Sequence, residues 1–242
     1  MNHHLSLSFA SLAVLGLLIA SPAMAQTPEK AVAGAAARAA KSAPTPTVMP
    51  GKTRLSQPRI APLEESAWNE VQAKEIGPFK NGAMLFGTTL KAFNVMDTLA
   101  QHEEARQKFN VWANYVMGKT ATLPPREREI LILRIGWLCQ AEYEWGQHAV
   151  IGKAVGLTDE EIARIKLGPD AKGWAPFDAT LLRAADELRK DAFVSDATWA
   201  ALAERYNTQQ LMDVVFTVGQ YNLVSMALNS FGVQLDEGVK GF

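Results

Sequence analysis

The sequence predicts an all-α protein, and two patterns carry that expectation. From Pro62 onward the chain is punctuated by helix starts and stops, and no stretch alternates apolar and polar residues as a half-buried strand would. Near the C-terminus Leu211, Val214, Val215, Val218, Asn222, Ser225 and Leu228 recur at helical spacing. A length of 242 residues suits one domain behind a leader, with core enough to need no metal or disulfide staple.

The elements follow in chain order. Leu5 to Ala20 is apolar or small throughout and carries no charged side chain. Ala23 and Ala25 then form the small-x-small pattern of a signal-peptide cleavage site. The apolar run is shorter than the ~20 residues of a spanning helix, so residues 1–25 are expected to be cleaved after Ala25. No later run reads as long and apolar enough to cross a membrane. Residues 26–60 form an Ala/Pro-rich tail with six Lys/Arg against one acid, expected to be disordered. Residues 61–242 are the helical domain. Its helices are expected at Glu64 to Ala73, Leu85 to Leu99 and Glu104 to Met117. Pro125 suits the first turn of a long helix, and Gly156 suits a helix stop. Thr158 with Glu161 reads as a capping box. Asp178 is expected to cap Ala179 to Lys190, and Ser195 to cap Asp196 to Tyr206.

Composition excludes several classes. The net charge of -1 gives no global field for nucleic acid. Cys139 is the single cysteine, so the chain forms no internal disulfide, CxxC redox pair or cysteine zinc knuckle.

Chemistry-bearing residues concentrate in Ala141-Glu142-Tyr143-Glu144-Trp145-Gly146-Gln147-His148. Glu144 and His148 are four apart and share a helix face. A carboxylate beside an imidazole orients the ring and favours its protonated form. Such a pair can relay a proton near neutral pH. It can also be no more than a surface pair. His102 lies in a polar stretch expected to be solvated. A metal site is not assigned: Glu142 and Glu144 point to different faces, and no second histidine stands near His148.

The run Leu123-Pro124-Pro125-Arg126-Glu127-Arg128-Glu129-Ile130-Leu131-Ile132-Leu133-Arg134, leading into Tyr143-Glu144-Trp145-Gly146-Gln147-His148, resembles the carboxymuconolactone decarboxylase-like family, whose superfamily includes the AhpD-type alkylhydroperoxidases. Gly156-Leu157-Thr158-Asp159-Glu160-Glu161-Ile162 is similar to its usual continuation. The resemblance implies an AhpD-like helical bundle that assembles as a homo-trimer or homo-hexamer. In the peroxidase branch a glutamate precedes a CxxC pair and a histidine. Glu129 and His148 stand at the glutamate and histidine positions, while Ala141 and Glu144 replace the cysteines. A disulfide relay needs two thiols, so that activity does not carry over internally.

The resemblance instead implies the decarboxylase-type branch, with Glu129, Glu144 and His148 as catalytic residues and no cofactor. His148 would move the proton, Glu144 would orient it or act as a base, and Glu129 would complete a relay. Arg134 would neutralise a substrate carboxylate or form a structural ion pair. Tyr143, Trp145 and Tyr221, with Trp137, would wall the substrate or pack the core. The expected function is an exported, periplasmic lyase or isomerase acting on a small oxygenated substrate, aromatic or lactone, in aromatic compound catabolism. The alternatives are a non-catalytic binding or assembly protein of the same fold, and a thiol-dependent peroxidase-like oxidoreductase using Cys139. Neither nucleic acid nor membrane insertion after cleavage is expected among its partners.

The shared site imposes a geometric condition. In one straight helix Glu129 and Glu144 would stand about 22 Å apart at ~1.5 Å per residue. A break is therefore expected at Cys139-Gln140-Ala141-Glu142, folding the second helix back on the first. The mature protein is expected to begin at Gln26; N-terminal sequencing of fractionated cells checks this, and an intact Met1 in the cytoplasm contradicts it.

Overall fold

A helix buried along its middle organises the molecule. In the computed structural model, which describes residues 54–80, 83–85, 88–90 and 93–242, α4 spans Pro125–Leu138. Ile130, Leu131, Ile132, Leu133 and Ile135 on it are fully buried. Apolar side chains on every face mark a helix wrapped by others. It packs against α5 (Glu142–Ala154), α7 (Pro176–Asp191) and α9 (Thr208–Phe231). Each buried aliphatic side chain contributes about 2 kcal/mol of apolar burial.

The remaining elements are α1 (Glu70–Lys80), a hairpin of β1 (Ala83–Leu85) and β2 (Thr88–Leu90), α2 (Phe93–Leu99), α3 (Glu103–Met117), α6 (Asp159–Ile165) and α8 (Asp196–Ala203). The hairpin is antiparallel, with Met84 opposite Thr89. The body is thus helical as expected, with three corrections near its start. Glu64 to Ala73 is not one helix: Glu65–Ala67 is a 3-10 turn and α1 begins at Glu70. Leu85 to Leu99 is divided between the hairpin and α2. Thr88 and Thr89 are β-branched and favour extended backbone, a cue that the helical reading passed over. Residues 54–60, assigned to the tail, lie against the end of α9, where the Arg59 and Ile60 amides donate to Phe231 O at 2.8 and 3.1 Å. The leader and residues 26–53 fall outside the described residues.

Caps follow the local chemistry. Thr158 and Glu161 form the expected capping box, and Asn207 with Gln210 forms another. Ser195 accepts from the Thr198 amide, but its helix stops at Ala203. Asp178 is not a cap. The helix starts earlier, at Pro176, and Asp178 instead accepts two bonds from the Arg126 guanidinium, at 3.1 and 2.9 Å.

The break between α4 and α5 falls where the site required it. Gln140 takes a left-handed conformation, φ 52°. Its amide donates to Trp137 O and the Ala141 amide to Gly136 O, both at 2.9 Å. These two bonds make a Schellman stop with glutamine at the position usually held by glycine. Arg54 Nη2 and Asn229 Nδ2 donate to Cys139 O at 3.0 and 2.9 Å, pinning the turn to the end of α9.

By length and composition α9 does suffice to cross a membrane, contrary to the sequence reading. Half of its most apolar window is buried inside the protein, and it carries the buried polar residues Asp213, Gln220 and Ser225 toward the body.

Candidate active site

The turn at Gln140 brings α5 back along α4 and sets His148 against Glu129. Glu129 is fully buried, and its Oε2 lies 2.7 Å from His148 Nδ1. Its other oxygen is 3.5 Å from Nε of Arg128, itself buried. A carboxylate on Nδ1 selects the tautomer with the proton on Nδ1 and leaves Nε2 as the basic nitrogen. His148 Nε2 has no hydrogen bond within the described residues, and the ring lines a cavity. From α9, Tyr221 sets its ring edgewise to the imidazole, centroids 4.7 Å apart. Burial, and then the nearby charges of Glu129 and Glu144, push the Tyr221 phenol well above its usual range.

Glu144 plays a different part from the one its spacing suggests. It does not orient His148. Its Oε2 accepts a hydrogen bond from Ser225 Oγ at 2.9 Å. Its Oε1 sits over Gly136, where an added Cβ would come within 2.8 Å of it. Gly136 therefore makes the notch that holds the carboxyl. Oε1 has no hydrogen-bond partner among the described residues. Burial, reinforced by the charge of Glu129 and opposed by Ser225, raises the Glu144 carboxyl well above the usual carboxylate range. A carboxyl that holds its proton more tightly than usual, on the same cavity as an imidazole with a free ring nitrogen, can act as a proton donor opposite an acceptor.

The cavity measures about 830 Å³ and lies between α2 and α3 on one side and α5 and α9 on the other. Val95, Met96, Leu99, Phe109, Ile151, Val224 and Leu228 supply an apolar lining; Tyr143, Glu144, Gln147, His148, Gln220 and Tyr221 supply polar groups. Asp236, on the segment after α9, holds part of this wall. It accepts from Tyr143 Oη at 2.5 Å, from Gln147 Nε2 at 2.8 Å and from the Asn94 amide at 3.0 Å.

Of the expected residues, Glu129, Glu144, His148, Tyr143 and Tyr221 are gathered here. Arg134 and Trp145 are not. Arg134 makes a two-bond pair with Asp186, at 2.5 and 2.9 Å, and donates to Ile165 O and Lys166 O. It ties α4 to α6 and α7 and is not among the residues that line the cavity. Trp145 packs in the core with Trp137 and Phe242, centroids 5.8 and 5.7 Å away. His102 is exposed and accepts the Ala105 amide as the N-cap of α3. Cys139 is buried, and burial pushes its thiol up, away from the reactive thiolate. Ser225, Gly136, Gln147 and Asp236 were not marked as site residues by the sequence reading. Ser225 appeared only as one position in a helical repeat, and Asp236 lies far along the chain from its partners. Among the described residues no group of three or more His, Cys, Asp or Glu is placed to hold a metal ion.

A helical body built on a buried helix and a folded-back partner carrying Glu129 and His148 is an AhpD-like fold. It matches an uncharacterised peroxidase-related protein from Ralstonia eutropha with a TM-score of 0.65 and 19% identity, over 74% of this chain and 93% of that one. It matches a putative antioxidant defence protein AhpD from Agrobacterium tumefaciens with a TM-score of 0.53 and 17% identity, over 57% of this chain and 94% of that one. The debrominase Bmp8 also shares it, with a TM-score of 0.59 and 10% identity, over 74% of this chain and 92% of that one. At these identities the likeness is one of fold. Residues 104–187, from α3 into α7, match the model of the carboxymuconolactone decarboxylase family. No curated protein matches the chain.

The raised Glu144 carboxyl has a consequence for stability. The folded carboxyl keeps a proton that the unfolded chain loses near 4.5. Stability therefore falls as pH rises above that value, until the folded carboxyl itself ionises. Glu144→Gln is expected to remove this part of the fall, so the variant gains on the wild type as pH increases. Urea unfolding of both proteins across this range checks it; parallel stability curves contradict it.

Proposed function

We propose that the protein is a cofactor-independent lyase or isomerase that moves a proton at a carbon next to a carbonyl group. The Glu129–His148 contact, on a cavity that the buried Glu144 carboxyl also lines, carries this reading. The family match of residues 104–187 supports it, since that family is named for a decarboxylase. His148 Nε2 takes the proton from carbon, and Glu129 stabilises the resulting imidazolium through Nδ1. The Glu144 carboxyl donates its proton to the carbonyl oxygen, so that the electron pair released at carbon is held as an enol rather than an enolate. Return of a proton to a different carbon completes an isomerisation. In the lyase case the breaking of a carbon–carbon bond replaces the first proton abstraction: the bond to a departing carbon dioxide, or to an aldehyde fragment whose hydroxyl proton His148 takes, gives its electron pair to the same carbonyl as the enol, and protonation of the carbon left behind completes the reaction. A buried site strengthens each of these charge interactions.

Thiol peroxidation is less well supported. Cys139 is buried, and its Sγ lies 3.2 Å from Asn222 Oδ1 and does not line the cavity. The fold leaves the reaction open, as a debrominase and peroxidase-related proteins share it.

Export is part of the proposal, on the leader alone. So is self-association as a trimer or hexamer, supported by exposed Val111, Trp112, Met212, Phe216, Leu223 and Met226 on α3 and α9. Light scattering of the mature protein checks the latter, and a monomer mass at micromolar concentration contradicts it.

The reaction is tested by solvent-deuterium exchange into a panel of oxygenated aromatic and lactone compounds, followed by mass spectrometry and NMR. His148→Ala and Glu129→Gln are each expected to lower turnover by at least a hundredfold, the usual reach of general acid–base catalysis. Both should keep the helical circular dichroism spectrum. Turnover retained in His148→Ala contradicts the mechanism.

A further inference from the structure

We infer that the cavity takes an uncharged, largely apolar molecule with one hydroxyl or carbonyl group, and discriminates against carboxylate-bearing ones. This rests on the acid–base reading for the identity of the polar end, narrows that reading to isomerisation or aldehyde-releasing cleavage rather than decarboxylation, and rests on the cavity wall for the rest.

The wall's size and charge carry the inference. At about 830 Å³ the cavity exceeds what a small, highly oxygenated acid would fill, and most of its lining is aliphatic or aromatic. Arg106 is the single Lys or Arg among the described lining residues, and it is already engaged. Its Nε and Nη2 donate to the two oxygens of Glu103 at 2.9 and 2.6 Å, and Nη2 also reaches Glu75 at 2.8 Å. Two carboxylates thus neutralise one guanidinium, leaving that part of the wall with no positive charge to spare. At the other polar group, His148 already faces Glu129, and Glu144 adds a group that becomes negative if it ionises. An anion entering here gives up its hydration without gaining an unpaired cation, a loss that apolar contacts do not repay. A neutral molecule meets no such penalty: its body covers Val95, Phe109 and Val224, and its oxygen reaches Glu144 and His148.

The test is a matched pair of probes that differ in charge and share an apolar body, 4-hexylphenol and 4-hexylbenzoate. Binding to the mature protein near neutral pH is measured by isothermal titration calorimetry. The phenol is expected to bind at least about tenfold more tightly than the benzoate. Val224→Trp, which fills the cavity, should abolish phenol binding in a variant whose circular dichroism spectrum is unchanged. Glu75→Gln, at a half-exposed position, should narrow the gap by releasing Arg106 toward the benzoate. Equal or tighter benzoate binding overturns the proposal, as does phenol binding that survives Val224→Trp, or no phenol binding at all. Because binding is read without turnover, the two readings fail separately. If the phenol binds but no compound exchanges deuterium, the acid–base function falls and the cavity assignment stands. If exchange occurs solely on carboxylate-bearing compounds, the cavity assignment falls and the acid–base function stands.

Discussion

The contact between Glu129 and His148 is the constraint on which the rest of the structure depends. It places a carboxylate that water does not reach in the middle of an otherwise aliphatic helix. A lone buried carboxylate is costly, and what surrounds Glu129 offsets that cost: the imidazole on one oxygen and the Arg128 guanidinium near the other. Meeting that requirement obliges the chain to turn back within a few residues of α4. The left-handed Gln140, the Schellman bonds and the two donors on Cys139 O are the means by which it does so.

The same turn explains why Glu144 and Glu129, both acidic and both buried, do different work. Glu129 has cationic or imidazole partners on both oxygens. Glu144 has a serine hydroxyl on one oxygen and a glycine notch around the other. The second environment disfavours charge. Under the proposed acid–base function, this difference in surroundings is what would let two carboxyls in one site take different parts.

Much of this was legible in the residues. The fold class followed from periodicity and caps, and the break at residues 139–142 followed from the distance that one continuous helix would impose. Thr158, Ser195 and Gly156 behaved as local signals because their bonds are local. What escaped depended on partners remote in sequence. Arg134 was open between an anion site and a structural ion pair; it is the pair, but with Asp186, 52 residues away, a partner that spacing along the chain does not announce. Trp145 was open between substrate wall and core, and its side chain turns to the core beside Trp137. Asp236 bonds to Asn94, 142 residues away, and to Tyr143 and Gln147, and no spacing along the chain announces such a group. The hairpin was missed because a few residues of apolar spacing fit a helix and a short strand equally well.

The tautomer of His148 tests the central claim most directly. Two-bond nitrogen–proton correlation spectra of protein labelled with ¹⁵N-histidine distinguish His148 from His102 by comparison with His148→Ala. The account predicts that neutral His148 carries its proton on Nδ1, with Nε2 the bare nitrogen, and that Glu129→Leu shifts the population toward the Nε2–H form. An Nε2–H tautomer in the wild type, or a spectrum that Glu129→Leu leaves unchanged, would contradict it.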